Sequence, residues 1–480
     1  MRRIFNDVFL CLMACFAFVW ICHRAAVQSI TIDEADTIAY WVNAKPELQW
    51  QPHSNNHVLN SAMMELVFWL FGEREWTARL PALLGGGLFM CAIGRLCALL
   101  SVELALRSAL FACFVYNPFI MDYLVAARGY GLALGFMSVV LFVVARGILQ
   151  GWTERDLAIV SACAGMSVCS NFSFAYANGC LLLGAAFSAA RRGNRWVRLA
   201  GTCVLPAAAV LLVFAGSALT RFPRSELVWG TDRLNAMWND IAEACFTELN
   251  PRLVNPLLMD WFSAFQLYWP LLLGGFACLS AIAFVSRSRC AVFPAYLAAA
   301  LAMTILMHWL QFHLLKVPLP FERTSIFLVP IVTALVGSLA AVAPVTRLWR
   351  AVHWCGLALL VATGLCFVGE LRDTYFRQWK FGAEVKAVFP LLLDLCRRNG
   401  YREITVDWEF PNSANFYRRQ YGATYIEEIR YYDPLPTGKP IYMVSEAAAT
   451  AFLKDTPLKR IWHGTVSDLV VLVQPGDMEQ

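Results

Sequence analysis

Long apolar stretches separated by short polar turns fill the chain up to about residue 370. Each stretch is long enough to cross about 30 Å of hydrocarbon as an α-helix. The pattern predicts an α-helical membrane protein with about eleven transmembrane helices, near residues 8–22, 80–99, 106–121, 130–147, 157–172, 174–190, 199–219, 263–285, 290–311, 324–344 and 351–369.

The chain changes character after residue 370, where apolar runs become short and alternate with polar residues. Strands alternating with helices are typical of a small α/β domain. We therefore divide the chain into a transmembrane domain, residues 1–370, and a C-terminal α/β domain, residues 371–480. In the latter we expect helices over 384–399 and 413–421, and strands over 403–406, 424–430, 440–444 and 467–473.

The composition supports a membrane protein and argues against nucleic-acid binding. Charged residues make up 15% of the chain and the mean hydropathy is +0.54, whereas a soluble domain has roughly 25% charged residues. No run of basic residues interleaved with aromatic residues is present, so nucleic acid is not an expected partner.

Arginines mark the side on which each turn lies. With the N-terminus in the cytoplasm, the short turns on the cytoplasmic side carry most of the arginines, as membrane proteins prefer. These residues are Arg95, Arg107, Arg146, Arg155, Arg191, Arg192, Arg195, Arg198, Arg287, Arg289, Arg347 and Arg350. The same orientation places exterior loops at about 23–77, 220–262 and 312–323, with the C-terminal domain outside. The expected location is the plasma (inner) membrane.

The first apolar stretch has a second interpretation. Met1-Arg2-Arg3 before an apolar run also suits a cleaved signal peptide. We favour a retained span because His23-Arg24 follows it and no small-x-small cleavage site is evident. Most of the sixteen cysteines lie in apolar runs, where they act as small hydrophobic residues. Only Cys245 and Cys396 lie in exterior segments and could pair.

The exterior loop after the first span carries the first candidate residues, Asp33 and Glu34. Thr31 with Glu34 matches a capping box, so one interpretation is simply a helix start. The other is that Asp33, with Glu34, is a carboxylate that accepts a proton at the membrane surface. Further along, His57 opens an amphipathic stretch, Val58 to Phe71, and could contact a phosphate or be only a polar residue at a helix start.

Two later exterior turns combine acidic and basic residues. Asp122 and Arg128 lie six residues apart among apolar residues, before Tyr130. They could form a structural pair, or Arg128 could bind an anionic leaving group, since guanidinium binds phosphate through two parallel hydrogen bonds. The loop 312–323 supplies Lys316, Glu322 and Arg323, either as interfacial anchors or as part of a pocket for a lipid phosphate.

In their order and spacing these motifs resemble the GT-C superfamily of membrane glycosyltransferases. The branch in question contains protein O-mannosyltransferases and the aminoarabinose transferases that modify lipid A. The matching pieces are Asp33-Glu34, Asn56-His57, Thr77-Ala78-Arg79-Leu80-Pro81-Ala82-Leu83, Asn117-Pro118, Ala127-Arg128-Gly129-Tyr130 and Pro320-Phe321-Glu322-Arg323. The resemblance covers residues 1–150 well and fades through the middle spans. Val58 stands where the family often has proline, and the loop 220–262 has no counterpart.

The resemblance implies a donor sugar on a polyprenyl phosphate and an acceptor hydroxyl outside the cytoplasm, on lipid, glycan or protein. Asp33 would be the base, with Glu34 or Asp122 orienting donor or acceptor. Arg128, with His57, Tyr130, Lys316, Glu322 and Arg323, would bind the donor and its phosphate within the membrane lipids. One base without a covalent intermediate implies inversion at the anomeric carbon. No D-x-D motif is present in the exterior segments, so the need for a divalent cation stays open.

A transporter or flippase for a lipid-linked or anionic substrate is the main alternative. It would have ionisable residues near mid-membrane and broken helices in two matching halves. The sequence has no evident internal repeat, and its charges gather at the exterior face. A non-catalytic assembly protein is a further alternative.

Overall fold

The computed structural model describes residues 2–43, 55–191, 196–221, 229–246, 272–285, 289–342 and 345–475. Several predicted features lie outside the described residues: parts of the first two exterior loops (44–54, 222–228 and 247–262), the first half of the eighth span (263–271), and Arg192, Arg195 and Arg287.

Helices lie at all eleven predicted positions, so the predicted fold class is confirmed. Among the described residues, six helices are long and apolar enough to cross a membrane. The helices are α1 (Arg2–Val27), α2 (Ile32–Thr37), α3 (Val58–Phe71), α4 (Glu75–Leu100), α5 (Leu104–Val115), α6 (Pro118–Tyr123), α7 (Tyr130–Gln150), α8 (Glu154–Ser170), α9 (Ala175–Ala190), α10 (Trp196–Arg221), α11 (Leu234–Phe246), α12 (Leu272–Val285), α13 (Arg289–Leu315), α14 (Leu328–Ala340), α15 (Arg347–Gly369), α16 (Val385–Asn399), α17 (Pro411–Gln420) and α18 (Glu446–Asp455).

Glycines allow α4 and α7 to pack closely. A Cβ atom at Gly85 would overlap the backbone of Gly131, and one at Gly135 would overlap the backbone of Gly85 in return. Close backbone approach of this kind is a common way for membrane helices to associate, because it maximises van der Waals contact. The Gly85-Gly86-Gly87 run therefore serves helix packing, as expected for glycines within a span.

Two ion pairs show how the first spans are directed. Arg107, at the start of α5, lies 2.9 Å from Asp7 near the beginning of α1. Arg24, at the end of α1, lies 2.6 Å from Asp122, which follows α5 in the chain. The start of α1 and the start of α5 therefore share one end of the bundle, and the ends of both helices share the other. Spans one and three run parallel, as alternation predicts.

The predicted span 106–121 ends earlier than expected, because α5 stops at Val115. The Asn117 side chain accepts hydrogen bonds from the backbone N–H groups of Phe119 and Ile120, at 3.0 and 3.2 Å. With Pro118 at the first helical position, this is a strong start signal for a new helix. The short helix α6 that results presents Asp122 at the same end of the bundle as Arg24.

The C-terminal residues form a four-stranded sheet with helices. Its strands are β1 (Thr405–Val406), β2 (Ile441–Ser445), β3 (Lys459–His463) and β4 (Leu469–Val473), in the order β1-β2-β4-β3. β1 pairs with β2 in parallel, whereas β2 with β4 and β3 with β4 are antiparallel. The predicted helices at 384–399 and 413–421 are present, but α18 and β3 were not predicted.

The predicted strand 424–430 is wrong. The Asn415 side chain donates to the Ile429 carbonyl (2.7 Å) and accepts from the Ile429 N–H (3.0 Å). The Glu427 N–H donates to the Arg402 carbonyl at 2.7 Å. These bonds hold the segment in an irregular conformation. Its apolar residues, Ile426 and Ile429, pack into the core although no strand pairs with the segment.

One hydrophobic core joins the C-terminal residues to the segment that follows α1. Ile30, Ala35 and Ile38 are buried in the same cluster as Phe389 and Phe410. Burial of apolar surface is the dominant favourable term in folding, so this shared core fixes α2 against the C-terminal unit.

The pairing considered for Cys245 and Cys396 is wrong, because both are free and buried. Cys245 belongs to the core of the helical bundle, while Cys396 belongs to the core of the C-terminal unit. The two thiols therefore lie in separate cores.

Replacing Gly85 by alanine should destabilise the protein by about 1–3 kcal/mol, because the added methyl meets backbone that cannot move aside. Thermal unfolding of the purified protein in detergent measures the effect. Gly94→Ala is the control, since on the same helix its nearest contacts would be at 3.8 Å. That change should be neutral or stabilising, because alanine favours helix over glycine. Equal melting temperatures for the two variants would contradict the packing argument.

Candidate active site

Three residues from distant parts of the chain meet at the end of the bundle where α1 ends. Oδ2 of Asp33, on α2, lies 2.7 Å from an amino nitrogen of Arg323, which belongs to the loop between α13 and α14. The same oxygen lies 3.6 Å from Arg128, which follows α6. The Asp33 side chain is 13% exposed, so it reaches the surface of the cluster without being free in solvent.

Arg128 is held rigidly. Its guanidinium donates to the Asp33 carbonyl (3.2 Å), the Thr37 hydroxyl (2.9 Å) and the Asn55 side-chain oxygen (2.7 Å). It therefore braces the backbone of α2 and also presents positive charge to the Asp33 carboxylate.

The structural pair considered between Asp122 and Arg128 is wrong. Asp122 accepts instead from Arg24 at 2.6 Å and from the Arg377 backbone N–H at 2.9 Å, and Arg372 lies 3.6 Å away. Asp122 thus joins the end of α1 to the segment that follows α15. Arg128 contacts Asp33 instead, at 3.6 Å.

Glu34 is fully engaged and buried. Its two carboxylate oxygens form a paired contact with the Arg79 guanidinium at 2.9 and 2.8 Å. They also accept from the backbone N–H groups of Ala127 and Thr31, at 2.8 Å each. Burial opposes ionisation, but Arg79 and these N–H groups outweigh it and hold the pKa of Glu34 below its usual range. The capping box is present, so Glu34 positions α2, while Asp33 faces the arginines.

His57 lies behind Arg128 with one ring nitrogen unsatisfied. It is 5% exposed, and its Nε2 atom has no hydrogen-bond partner among the described residues. Burial, followed by the charges of Arg128 and Arg323, holds the pKa of His57 well below its usual range, so the ring stays neutral. A neutral imidazole beside two arginines can hydrogen-bond a ligand without adding charge.

Only glycine fits at position 129, between Arg128 and Tyr130. Its φ is +75°, and an added Cβ would overlap the Ser170 carbonyl and lie 2.9 Å from the His57 Cβ. The Tyr130 and His57 rings are consequently in edge contact, with centroids 5.4 Å apart. Gly129 thus allows the Ala-Arg-Gly-Tyr motif to pack closely against His57.

The segment after α15 adds Gln378, which sequence reasoning missed. Its amide nitrogen donates to a Glu322 carboxylate oxygen at 2.8 Å, and its amide oxygen accepts from the Tyr123 hydroxyl. Tyr123 packs against Tyr130 with ring centroids 4.7 Å apart. No sequence pattern pointed to Gln378, because it is far from the other site residues along the chain and only folding brings it next to them.

Glu322 and Asp240 form an acidic pair on the far side of Arg323. The Glu322 backbone N–H donates to the Asp240 carboxylate, whose Oδ2 atom is buried and has no hydrogen-bond partner among the described residues. Burial, the charge of Glu322 and that of Glu243 raise the pKa of Asp240 to about 6. Glu322 has a φ of +48°, which residues other than glycine seldom adopt and which is commonest at functional sites.

The two basic candidates of the loop 312–323, Arg323 and Lys316, differ in their surroundings. Arg323 is 14% exposed, and its guanidinium lies over the Trp229 ring, 5.5 Å from the centroid. Lys316 is exposed and makes no ion pair with any described residue. Arg323 therefore belongs to the cluster, and Lys316 lies at its margin. In the part of the chain that the structure describes, no group of three His, Cys, Asp or Glu side chains could hold a metal ion.

Helix α11 lies between this polar cluster and an apolar cavity of about 190 Å³. Asp240 contacts Glu322 on one side, whereas Trp238, Ile241 and Cys245 line the cavity with residues of α5, α14 and α15. A polar cluster and an apolar cavity share this helix, an arrangement suited to a ligand with a charged head and an apolar tail.

No protein-family model and no curated protein matches the sequence. The structure is similar to the crystal structure of ArnT from Cupriavidus metallidurans in the apo state, with a TM-score of 0.55, 14% identity and 97% of each chain covered. The chain has the ArnT fold. A second structure of ArnT, bound to undecaprenyl phosphate, matches over the same 97% of each chain with a TM-score of 0.47 and 14% identity. At 14% identity the similarity to the apo structure shows the fold, which is the one that the resemblance in the sequence implied.

Asp240→Asn should stabilise the protein at alkaline pH. Folding raises the pKa of Asp240 to about 6 from roughly 3.9 in an unfolded chain, so the ionised carboxylate destabilises the folded state. We expect the melting temperature of the variant to exceed that of the wild type at about pH 8. The difference should shrink between about pH 6 and pH 4, where the wild-type carboxyl becomes protonated.

Asp232→Asn is the matched control, because the Asp232 side chain is 76% exposed. It should leave the melting temperature unchanged at both pH values. A gain for Asp240→Asn that persists at pH 4 would contradict the assignment of a buried, partly protonated carboxyl.

Proposed function

We propose that this protein transfers a sugar from a polyprenyl-phosphate donor to an acceptor hydroxyl at the outer face of the plasma membrane, with inversion at the anomeric carbon. The observation that carries the proposal is the meeting of Asp33 with Arg128 and Arg323 at 3.6 and 2.7 Å. A carboxylate and two guanidinium groups are the pieces that inverting transfer from a phosphosugar needs. The ArnT fold supports the proposal but does not carry it alone, because one fold can host many functions.

The arginines would bind the donor phosphate. Guanidinium groups bind phosphate oxygens through paired, charge-assisted hydrogen bonds. When Arg323 pairs with the phosphate instead of Asp33, the Asp33 carboxylate becomes free to face the acceptor. His57, neutral and with Nε2 unsatisfied among the described residues, can add a hydrogen bond to a phosphate or sugar oxygen.

In the transfer step, Asp33 accepts the proton of the acceptor hydroxyl. The acceptor oxygen forms the new bond to the anomeric carbon as the bond from that carbon to the phosphate oxygen breaks. The electron pair leaves with the phosphate, where Arg128 and Arg323 stabilise the added negative charge. With one base and no covalent intermediate, attack occurs from the face opposite the phosphate, and the configuration inverts.

The cavity beside α11 suits the lipid part of a substrate. Its lining is almost wholly apolar, including Trp238, Ile241, Leu328 and Phe367. This apolar lining does not specify which sugar is transferred or whether the acceptor is a lipid, a glycan or a protein. A transporter, the main alternative to a transferase, would need its ionisable residues near mid-membrane. Asp33, Arg128 and Arg323 instead lie next to the ends of their spans.

We place the site on the exterior side by the distribution of arginines. Asp33 lies past the end of α1, and Asp7, near the other end of that helix, pairs with Arg107 of the arginine-rich side. With the N-terminus cytoplasmic, as the positive-inside bias favours, the site and residues 371–480 are extracytoplasmic. A division into a transmembrane domain of residues 1–370 and a C-terminal domain remains our assignment.

Asp33→Asn should lower the rate of sugar transfer by about 10²- to 10⁴-fold, the contribution typical of a general base. The assay incubates the purified protein with a panel of polyprenyl-phosphate sugars, together with lipid, glycan and peptide hydroxyl acceptors, and follows release of polyprenyl phosphate. Arg323→Ala should lower kcat/KM for the donor, with a loss in kcat, because it removes a phosphate contact that strengthens as negative charge develops on the leaving group.

Arg233→Ala serves as the control for loss of a cation, since its side chain is 81% exposed and pairs only loosely with Asp232, at 3.8 Å. It should keep wild-type kinetics. Full activity of Asp33→Asn, with wild-type activity established on the same donor, would rule out the assigned base.

A further inference from the structure

Asp33 shares α2 with a second carboxylate, Asp36. Residues three apart on a helix lie on the same side, so both carboxylates approach the same charged neighbours. The pKa of Asp36 is raised, first by burial; the Asn412 hydrogen bond lowers it, and the charges of Asp33 and Arg128 act in opposite directions. Asp36 thus lies one helical turn from Asp33, on the same side of α2.

Asn412, at the start of α17 in the C-terminal unit, forms a hydrogen bond with Asp36. Its amide nitrogen donates to Asp36 Oδ1 at 2.6 Å. The neutral amide thus satisfies a carboxylate oxygen of Asp36 without a guanidinium partner. The ion pairs of Asp33 with Arg128 and Arg323 stay intact beside it.

The same part of the C-terminal unit holds the backbone that leads into α2. The Tyr417 hydroxyl accepts from the Ile30 N–H at 2.9 Å and donates to Glu75 at 2.9 Å. The Ser29 hydroxyl donates to the Ala383 carbonyl at 2.6 Å. Together with the shared apolar core, these bonds place Asn412 at a fixed distance from Asp36.

We infer that Asn412 is a positioning residue, which engages Asp36 so that Asp33 alone faces Arg128 and Arg323. The inference deepens the proposed function and rests on it. It assigns a role to the C-terminal unit: α17 supplies the group that decides which carboxylate of α2 faces the arginines.

Asn412→Ala should lower kcat by about tenfold, the order expected when one hydrogen bond to a charged group is lost. The freed Asp36 carboxylate then competes with Asp33 for the arginines. KM for the donor should change much less than kcat, because both arginines remain. Asn412→Gln, which keeps an amide donor, should recover part of the loss.

The double variant Asp36→Asn with Asn412→Ala separates positioning from general stability. Removing the competing charge should make Asn412 dispensable, so kcat should return to within about twofold of the Asp36→Asn single variant. A purely structural role for Asn412 would leave kcat low in the double variant, and that result would overturn the inference.

Arg419→Ala is the matched control on the same helix. Arg419 pairs with Glu73 at 2.7 Å and so ties α17 to the turn before α4, without contacting α2. This variant should keep the wild-type kcat. An equal loss in Arg419→Ala and Asn412→Ala would show that only the docking of α17 matters.

Amide hydrogen exchange of the full-length protein distinguishes this inference from the proposed function. Residues 30–37 should exchange faster in Asn412→Ala than in the wild type or Arg419→Ala. Unchanged exchange would overturn the inference, whatever the enzymatic result. If the wild type transfers no sugar from any donor, the proposed function fails, and exchange still decides whether Asn412 holds α2.

Discussion

The buried pair between Glu34 and Arg79 is the interaction on which the site depends. Both side chains are completely buried, and the contact uses both carboxylate oxygens. Removing one partner of such a pair typically costs about 3–5 kcal/mol, because the other charge stays buried without compensation. The pair fixes α2 against α4, and the next residue back, Asp33, is thereby turned toward the arginines. An electrostatic contact within the protein thus orients the residue to which we assign the chemistry.

Around this anchor, the short helix α2 is held from two sides. The bundle contributes Arg128, which binds the Asp33 carbonyl and the Thr37 hydroxyl. The C-terminal unit contributes an apolar core and hydrogen bonds from outside the bundle. A six-residue helix has little stability of its own, so its position is set by these tertiary contacts. Such support is what a catalytic carboxylate requires, since small displacements reduce rates strongly.

Much of this arrangement was predictable from sequence, and the exceptions have physical causes. Apolar stretches of spanning length marked the helices, and Asp33, Arg128 and Arg323 were identified from charges beside the spans together with the family resemblance. The capping-box and functional interpretations of Asp33-Glu34 proved compatible, because adjacent residues on a helix face different directions. Gln378, Asp240 and Asn412 were missed, since only long-range folding brings them near the site. The strand predicted at 424–430 was wrong because the Asn415 side chain, and not a neighbouring strand, forms hydrogen bonds with the backbone of Ile429.

We propose that Arg128 and Arg323 bind a lipid phosphate and that this binding releases Asp33 from Arg323. A cryo-EM structure of the full chain in lipid nanodiscs with added polyprenyl phosphate tests it most directly. The account predicts phosphate density within about 3 Å of both guanidinium groups, with the Asp33 carboxylate no longer in contact with Arg323. Phosphate bound elsewhere, with the pair between Asp33 and Arg323 intact, would contradict it.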